Sequence, residues 1–386
     1  MKCPHCLKEL NYRERRGRQC PKCKQKFALE PRDNRLGLTD LNLPRLAERL
    51  SGKGVYRYTS LQLGHAAVLR RYKSQPAKIY PWPTSRRSLR TAIIIFLLVV
   101  GLMLLMPAGL IAYLGIVDLG VAACFMSLCL SIGILLGLSI ADAYRHPISK
   151  YNLENFEHKY ISPWENMYAP LPGRITSQEM ELLGQVQIPS TQVRAVVVSP
   201  VDDVLSCLHA NGLPQRLGLV LINPDRPLTD EMQTLIAFVR QHPQVPMLLL
   251  HDASISGCLL PYLLRDRWEL TPRHQVIDLG LRPRHVQRLR LPWTFVGRTP
   301  KALIDLLEYE VQRQDVLALE QDELKWLREG PVASVLFIPP ARLIKVVTRA
   351  VERIEQRAPQ VVDAETQARA RAIGFMTWPR RSVSGG

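Results

Sequence analysis

Four cysteines within the first 23 residues place the tightest constraint on this chain. Cys3-Pro-His-Cys6 and Cys20-Pro-Lys-Cys23 are separated by thirteen residues. Each CxxC turn aims two sulfurs at one point, and two such turns on facing hairpins close a tetrahedron. The spacing predicts a Zn²⁺ site with Cys3, Cys6, Cys20 and Cys23 as ligands. A closed tetrathiolate leaves no position for water, so that zinc is structural and not catalytic. Two independent redox pairs are the alternative, but both knuckles fall in one 21-residue window. His5, between two ligands, reads as a solvated residue.

Residues 1–29 resemble the zinc-ribbon family. Between the knuckles runs Tyr12-Arg13-Glu14-Arg15-Arg16-Gly17-Arg18. Arg13, Arg15, Arg16 and Arg18 are therefore candidate contacts for phosphate, whether on DNA, RNA or an anionic lipid. Charge over the whole chain points the same way. Residues 1–90 hold 22 Lys/Arg against 6 Asp/Glu, whereas residues 91–386 hold 29 against 28. A basic block of this kind suits polyanions, and tetrathiolate zinc subtracts only two units from it. The same block also contains two helical patterns. Leu41, Leu43, Leu46, Ala47 and Leu50 mark the first, ended by Gly52 and Gly54. Thr59-Ser-Leu-Gln62 forms a capping box for a second, which reaches about Lys73.

Residues 91–117 carry no charge, Asp118 interrupts, and residues 119–141 are again apolar. About 20 such residues span a bilayer. The pattern predicts a two-span transmembrane hairpin over residues 89–142. Arg86, Arg87 and Arg90 precede it and Arg145 and Lys150 follow it, while its turn has no Lys or Arg. The positive-inside rule then puts both termini in the cytoplasm of a multi-pass, bacterial-type inner membrane protein. Gly133 and Gly137 form a small-xxx-small pair through which the hairpin could self-associate. The bilayer and a homo-oligomer are thus expected partners.

Beyond residue 190, short runs rich in aliphatic residues alternate with amphipathic stretches. The runs are Arg194–Ser199, Gly218–Asn223, Val245–His251 and Gln275–Leu279, with Trp293–Val296 as a candidate fifth. This alternation predicts an α/β domain with a mostly parallel sheet. Helical spacing continues in Ala302–Gln314, Val316–Arg328 and Ala341–Gln356. The expected organisation is a multidomain membrane protein. It comprises a zinc ribbon (1–30), a basic helical spacer (31–88), the hairpin (89–142) and a juxtamembrane linker (143–190). A cytoplasmic α/β domain (191–375) and a flexible tail (376–386) follow.

Ligands of parallel sheets gather at the strands' carboxyl ends. Asp202, Asp203, Asp225 and Asp252 fall there, beside Asn223, His251 and Asp278. The stretch Asp252-Ala-Ser-Ile-Ser-Gly257, with Gly280-Leu-Arg-Pro283 after it, resembles the Toprim domain of the topoisomerase VI A-subunit family, over about residues 191–310. That resemblance implies acids holding Mg²⁺ for phosphodiester chemistry. Only Asp252 and Gly257 match its motif. Ser254 replaces the second acid, Ile255 the proline, and the first strand ends in Ser199-Pro200 instead of a glutamate. The resemblance therefore implies a degenerate binding module in preference to a nuclease. No P-loop, GxGxxG or GxSxG motif occurs.

Three functions remain. The first is a non-enzymatic, membrane-anchored sensor, adaptor or effector that binds nucleic acid or a cytoplasmic protein. The second is a membrane-tethered phosphodiesterase or nuclease using Asp202, Asp203, Asp225 and Asp252 with Mg²⁺. The third is a pore-forming effector of stress or phage defence.

Overall fold

The computed structural model describes residues 1–15, 17–73, 153, 155–183, 193–295, 299–312 and 319–357. The N-terminal part opens with the two knuckles and continues into helix α1 (Asn42–Leu50) and the short strand β1 (Tyr58–Thr59). Helix α2 (Ser60–Lys73) follows at once. The Thr59–Gln62 capping box sets its start: the Thr59 amide donates to Gln62 Oε1 at 3.0 Å, and the Gln62 amide to Thr59 Oγ1 at 3.2 Å.

Residues 155–183, within the stretch read as a linker, fold back on this part. A π-helical turn (Glu157–Ile161) runs into a single α-turn (Ser162–Glu165). Strand β2 (Arg174–Ile175) pairs parallel with β1, and α3 (Ser177–Leu183) follows. Arg174 holds the return in place, with Glu157 at 3.0 Å and Glu165 at 2.6 Å.

The C-terminal part is built on β3 (Ala195–Val198), followed by α4 (Asp202–Ala210) and α5 (Leu213–Leu217). Next come β4 (Leu219–Ile222), α6 (Asp230–Gln241), β5 (Met247–Leu249) and α7 (Ile255–Arg267). Strand β6 (Val276–Asp278) and α8 (Pro283–Leu289) complete the alternation. The four strands are all parallel, in the order β4-β3-β5-β6. The expected parallel α/β domain is therefore present. Strand residues alternate between two cores. Val196, Val198, Val220, Ile222, Met247 and Leu249 face one with α6 and Trp268. Ala195, Val197, Leu219 and Leu248 face the other. That second core is continuous with Leu43, Leu63, Phe156 and Ile161, so the N-terminal part and the sheet share one apolar interior.

The candidate fifth strand does not join this sheet. Strand β7 (Thr294–Phe295) pairs antiparallel with β8 (Pro331–Val332), across α9 (Lys301–Gln312) and α10 (Gln321–Arg328). A 3₁₀ turn (Val335–Phe337) leads into α11 (Pro340–Arg357).

The membrane assignment requires correction. Among the described residues no helix is long and apolar enough to cross a membrane. The longest described helix, α11 with 18 residues, carries Arg342, Lys345, Arg349, Glu352, Arg353 and Glu355 along its length. The segment 89–142 lies outside the described residues. The expected multi-pass topology, inner-membrane location, lipid partner and hairpin-mediated oligomer all rested on that segment.

Candidate metal centre and basic face

The two knuckles correspond residue for residue at an offset of 17 positions. In the first, the Cys3 amide donates to Lys8 O at 2.9 Å and the Leu7 amide to Cys3 O at 3.1 Å. In the second, Cys20 donates to Gln25 O at 2.9 Å and Lys24 to Cys20 O at 2.8 Å. Leu7 and Lys24, one residue past each CxxC, share the left-handed backbone with φ of 59° and 60°. Antiparallel bridges Lys2–Glu9 and Gln19–Lys26 close the two turns.

This pairing brings all four sulfurs within 4.8 Å of one another. Cys3 to Cys23 and Cys6 to Cys20 both measure 3.7 Å. A tetrahedron with Zn–S bonds of about 2.3 Å has edges of about 3.8 Å, so the donor set suits one zinc-sized ion. Backbone hydrogen bonding from Cys23 is the largest influence on Cys20 and pulls its pKa down to about 6, whereas at Cys23 a backbone hydrogen bond from Gln25 is outweighed by burial and the neighbouring thiols, which push it up to about 11. Among the described residues, this is the one group of three or more His, Cys, Asp or Glu side chains placed to share an ion.

The arginines between the knuckles separate into two kinds. Arg15 is buried, 2.7 Å from Glu30, with its Nε on Asn11 O at 3.0 Å. It acts as a brace inside the ribbon, not as a surface contact. Arg13 and Arg18 are exposed, and Arg18 lies 3.4 Å from Asp33. Arg16 lies outside the described residues. Tyr12, 41% exposed, carries the Arg32 guanidinium over its ring at 4.3 Å. Lys22, Lys24 and Lys26 are exposed on the second knuckle. Neither Tyr12 nor Arg32 followed from charge counting. The signal for Tyr12 was its place beside the arginines, and Arg32 becomes its neighbour only once the chain folds.

The four acids at the carboxyl edge of the sheet do not converge. Asp202 Oδ1 accepts from Asn223 at 2.9 Å and from Arg226 at 2.8 Å. Asp203 is turned inward, where burial raises its pKa against a hydrogen bond from Thr59. Asp225 is exposed. Asp252 accepts the Val335 amide at 2.7 Å and the Ser334 hydroxyl at 3.3 Å, and burial raises its pKa. It adds a second acceptor at the start of the 3₁₀ turn, whose own N-cap is Ser334. A metal nest would need these oxygens clustered around one point.

The strand order reverses between β3 and β5, the position at which such sheets hold ligands. The chain itself roofs that position. Ala253 and Ala333 exchange backbone hydrogen bonds at 2.9 and 3.0 Å, and Phe337 meets the His65 ring edge-on at 4.8 Å. Burial drives the His65 pKa down to about 4. After β6, Arg282 binds Asp278 at 2.8 Å, and Arg284 lies 3.9 Å from both Glu320 and Glu323.

No protein-family model matches the chain, and no curated protein matches it either. Nothing in these comparisons supports the Toprim resemblance.

Proposed function

We propose that this chain is a non-enzymatic adaptor that binds nucleic acid on the basic face of a zinc-loaded ribbon, with the α/β domain as its rigid body. One observation carries the reading: the Arg32 guanidinium lies over the exposed Tyr12 ring at 4.3 Å, and Arg13 and Arg18 on the same loop are exposed. A cation over an aromatic ring, with exposed arginines on the same loop, suits bases and phosphates together. Zinc at Cys3, Cys6, Cys20 and Cys23 supplies no chemistry here. It fixes the two knuckles so that the cations keep their spacing.

The test is fluorescence anisotropy of the full zinc-loaded chain with labelled single-stranded DNA, single-stranded RNA and duplex, across a salt series. Binding should weaken steeply with salt, because each neutralised phosphate releases counterions. Tyr12→Ala and Arg32→Ala should each weaken it by about 5- to 150-fold, the range of a lost stacking contact of about 1–3 kcal/mol. Absence of binding to all three probes at low salt defeats the proposal.

A further inference from the structure

Tyr168 is held from both halves of the ribbon. Its hydroxyl donates to Asp40 Oδ2 at 2.6 Å. The same carboxylate accepts the amides of Ala28 and Leu29, each at 2.7 Å, where the chain leaves the second knuckle. The Tyr168 ring stacks on His5 of the first knuckle, with centroids 6.0 Å apart and planes inclined by 26°. Trp164 reinforces the joint: its indole N–H donates to Asp40 O at 3.3 Å, and its ring lies 4.9 Å from Tyr168. Asp40 and Trp164 are both buried.

Within the ribbon the halves also meet through His5 Nε2 and Lys26 O at 3.0 Å and through the buried Arg15–Glu30 pair at 2.7 Å. The ribbon's buried core is Leu10 and Phe27 with Cys3 and Cys20, so half of that core consists of metal ligands. Without an ion, two hairpins of this size lack the apolar area to fix their mutual placement. Tyr168 can then keep its contact with one knuckle, but not with both.

We infer that Tyr168 is a zinc-responsive latch: metal loading holds the Trp164–Tyr168 turn against the ribbon, and metal loss releases it. Release should stop at Arg174, whose guanidinium is clamped by Glu157 and Glu165. The inference stands apart from nucleic-acid binding and does not depend on it.

Hydrogen–deuterium exchange of the full chain tests it, zinc-loaded against zinc-stripped by a high-affinity chelator. Peptides from 1–27 and 160–170 should both gain exchange on stripping, while 247–264 in the sheet core stays protected. If 160–170 keeps its protection while 1–27 loses it, the latch does not exist. If 247–264 opens together with them, the event is global unfolding and the inference also fails. Coupling is reciprocal. In chelator competition Tyr168→Ala should therefore bind zinc more weakly by a factor on the order of 5–150, and Tyr168→Phe, which keeps the ring, by less. Equal zinc affinity in wild type and Tyr168→Ala overturns the inference. Should Tyr168→Ala fail to fold, the exchange experiment on the wild-type chain still decides.

Discussion

His251 and Asp278, at the ends of neighbouring parallel strands, are joined through His251 Nε2 and Asp278 Oδ1 at 2.9 Å in the interior. The other ring nitrogen lies 2.8 Å from Asp252 O. The Asp252 carbonyl and the Asp278 carboxylate thus hold the ring from both of its nitrogens. Asp278 is further held by the Gly280 amide at 2.8 Å and by Arg282 at 2.8 Å. The strand-end residues that looked like a ligand site are thus a clasp between β5 and β6.

Breaking the clasp should be costly, because it strands buried polar groups. His251→Ala should lose about 3–5 kcal/mol in urea denaturation at neutral pH. Burial alone would raise the Asp278 pKa; His251 and Arg282 outweigh it and hold the carboxyl well below its usual range. A depressed acid contributes stability above its unfolded pKa of about 3.9 and loses it as pH falls toward the folded value. Wild type should therefore lose stability progressively below about pH 4. Asp278→Asn should be less stable at pH 7 and show a flatter acid limb. Equal acid slopes in the two proteins would refute this assignment.

Gly280 is required by the same clasp. A Cβ there would lie 2.3 Å from the Cδ2 and Nε2 atoms of His251. Gly280→Ala should cost at least about 1–3 kcal/mol, the usual range for overpacking. The diagnostic measurement is a double-mutant cycle. In a His251→Ala background the Gly280→Ala penalty should shrink, since the colliding ring is gone. Additive penalties would show that the strain lies elsewhere.

The sheet was legible in the sequence because its strands are buried on both faces. Arg194–Ser199 and Gly218–Asn223 read as unbroken apolar runs, and they became Ala195–Val198 and Leu219–Ile222. The metal centre was legible because a CxxC turn is a local geometry. What depended on distant partners was not. Asp252 has the same local signature whether it holds an ion or accepts from a turn, and Val335, which decides the matter, lies 83 residues away. Arg15 looks identical to Arg13 until Glu30 folds over it. Residues 155–183 read as a linker because much of their apolar surface is buried against the rest of the chain, in the core that holds Leu43 and Leu63 and at the ribbon exit.

The separation of the acids makes a second contrast. Asp252→Ala should destabilise the chain by about 1–2 kcal/mol, as loss of an acceptor at a helix start does. Asp225→Ala, at an exposed position, should stay within about 0.5 kcal/mol of wild type. Thermal melts of the two variants distinguish this from a shared metal nest. In a shared nest, Mg²⁺ would raise the wild-type Tm, and either substitution would abolish that shift.

The two kinds of ribbon arginine can be separated by measuring affinity and stability on the same variants. Arg15→Ala leaves Glu30 buried without its charged partner, with only the Arg32 amide on Oε1 at 3.2 Å and no hydrogen bond on Oε2. Removing one side of a buried pair costs about 3–5 kcal/mol, so the ribbon of Arg15→Ala should release zinc to a chelator more readily. Once saturated with zinc it should bind nucleic acid with near wild-type affinity and an unchanged salt slope. Arg13→Ala should behave in the opposite way. Its zinc retention should match wild type, whereas its salt slope should fall by about one. If Arg15→Ala reduced the salt slope and Arg13→Ala did not, the buried arginine would be the phosphate contact, and the assignment of the exposed face would be wrong.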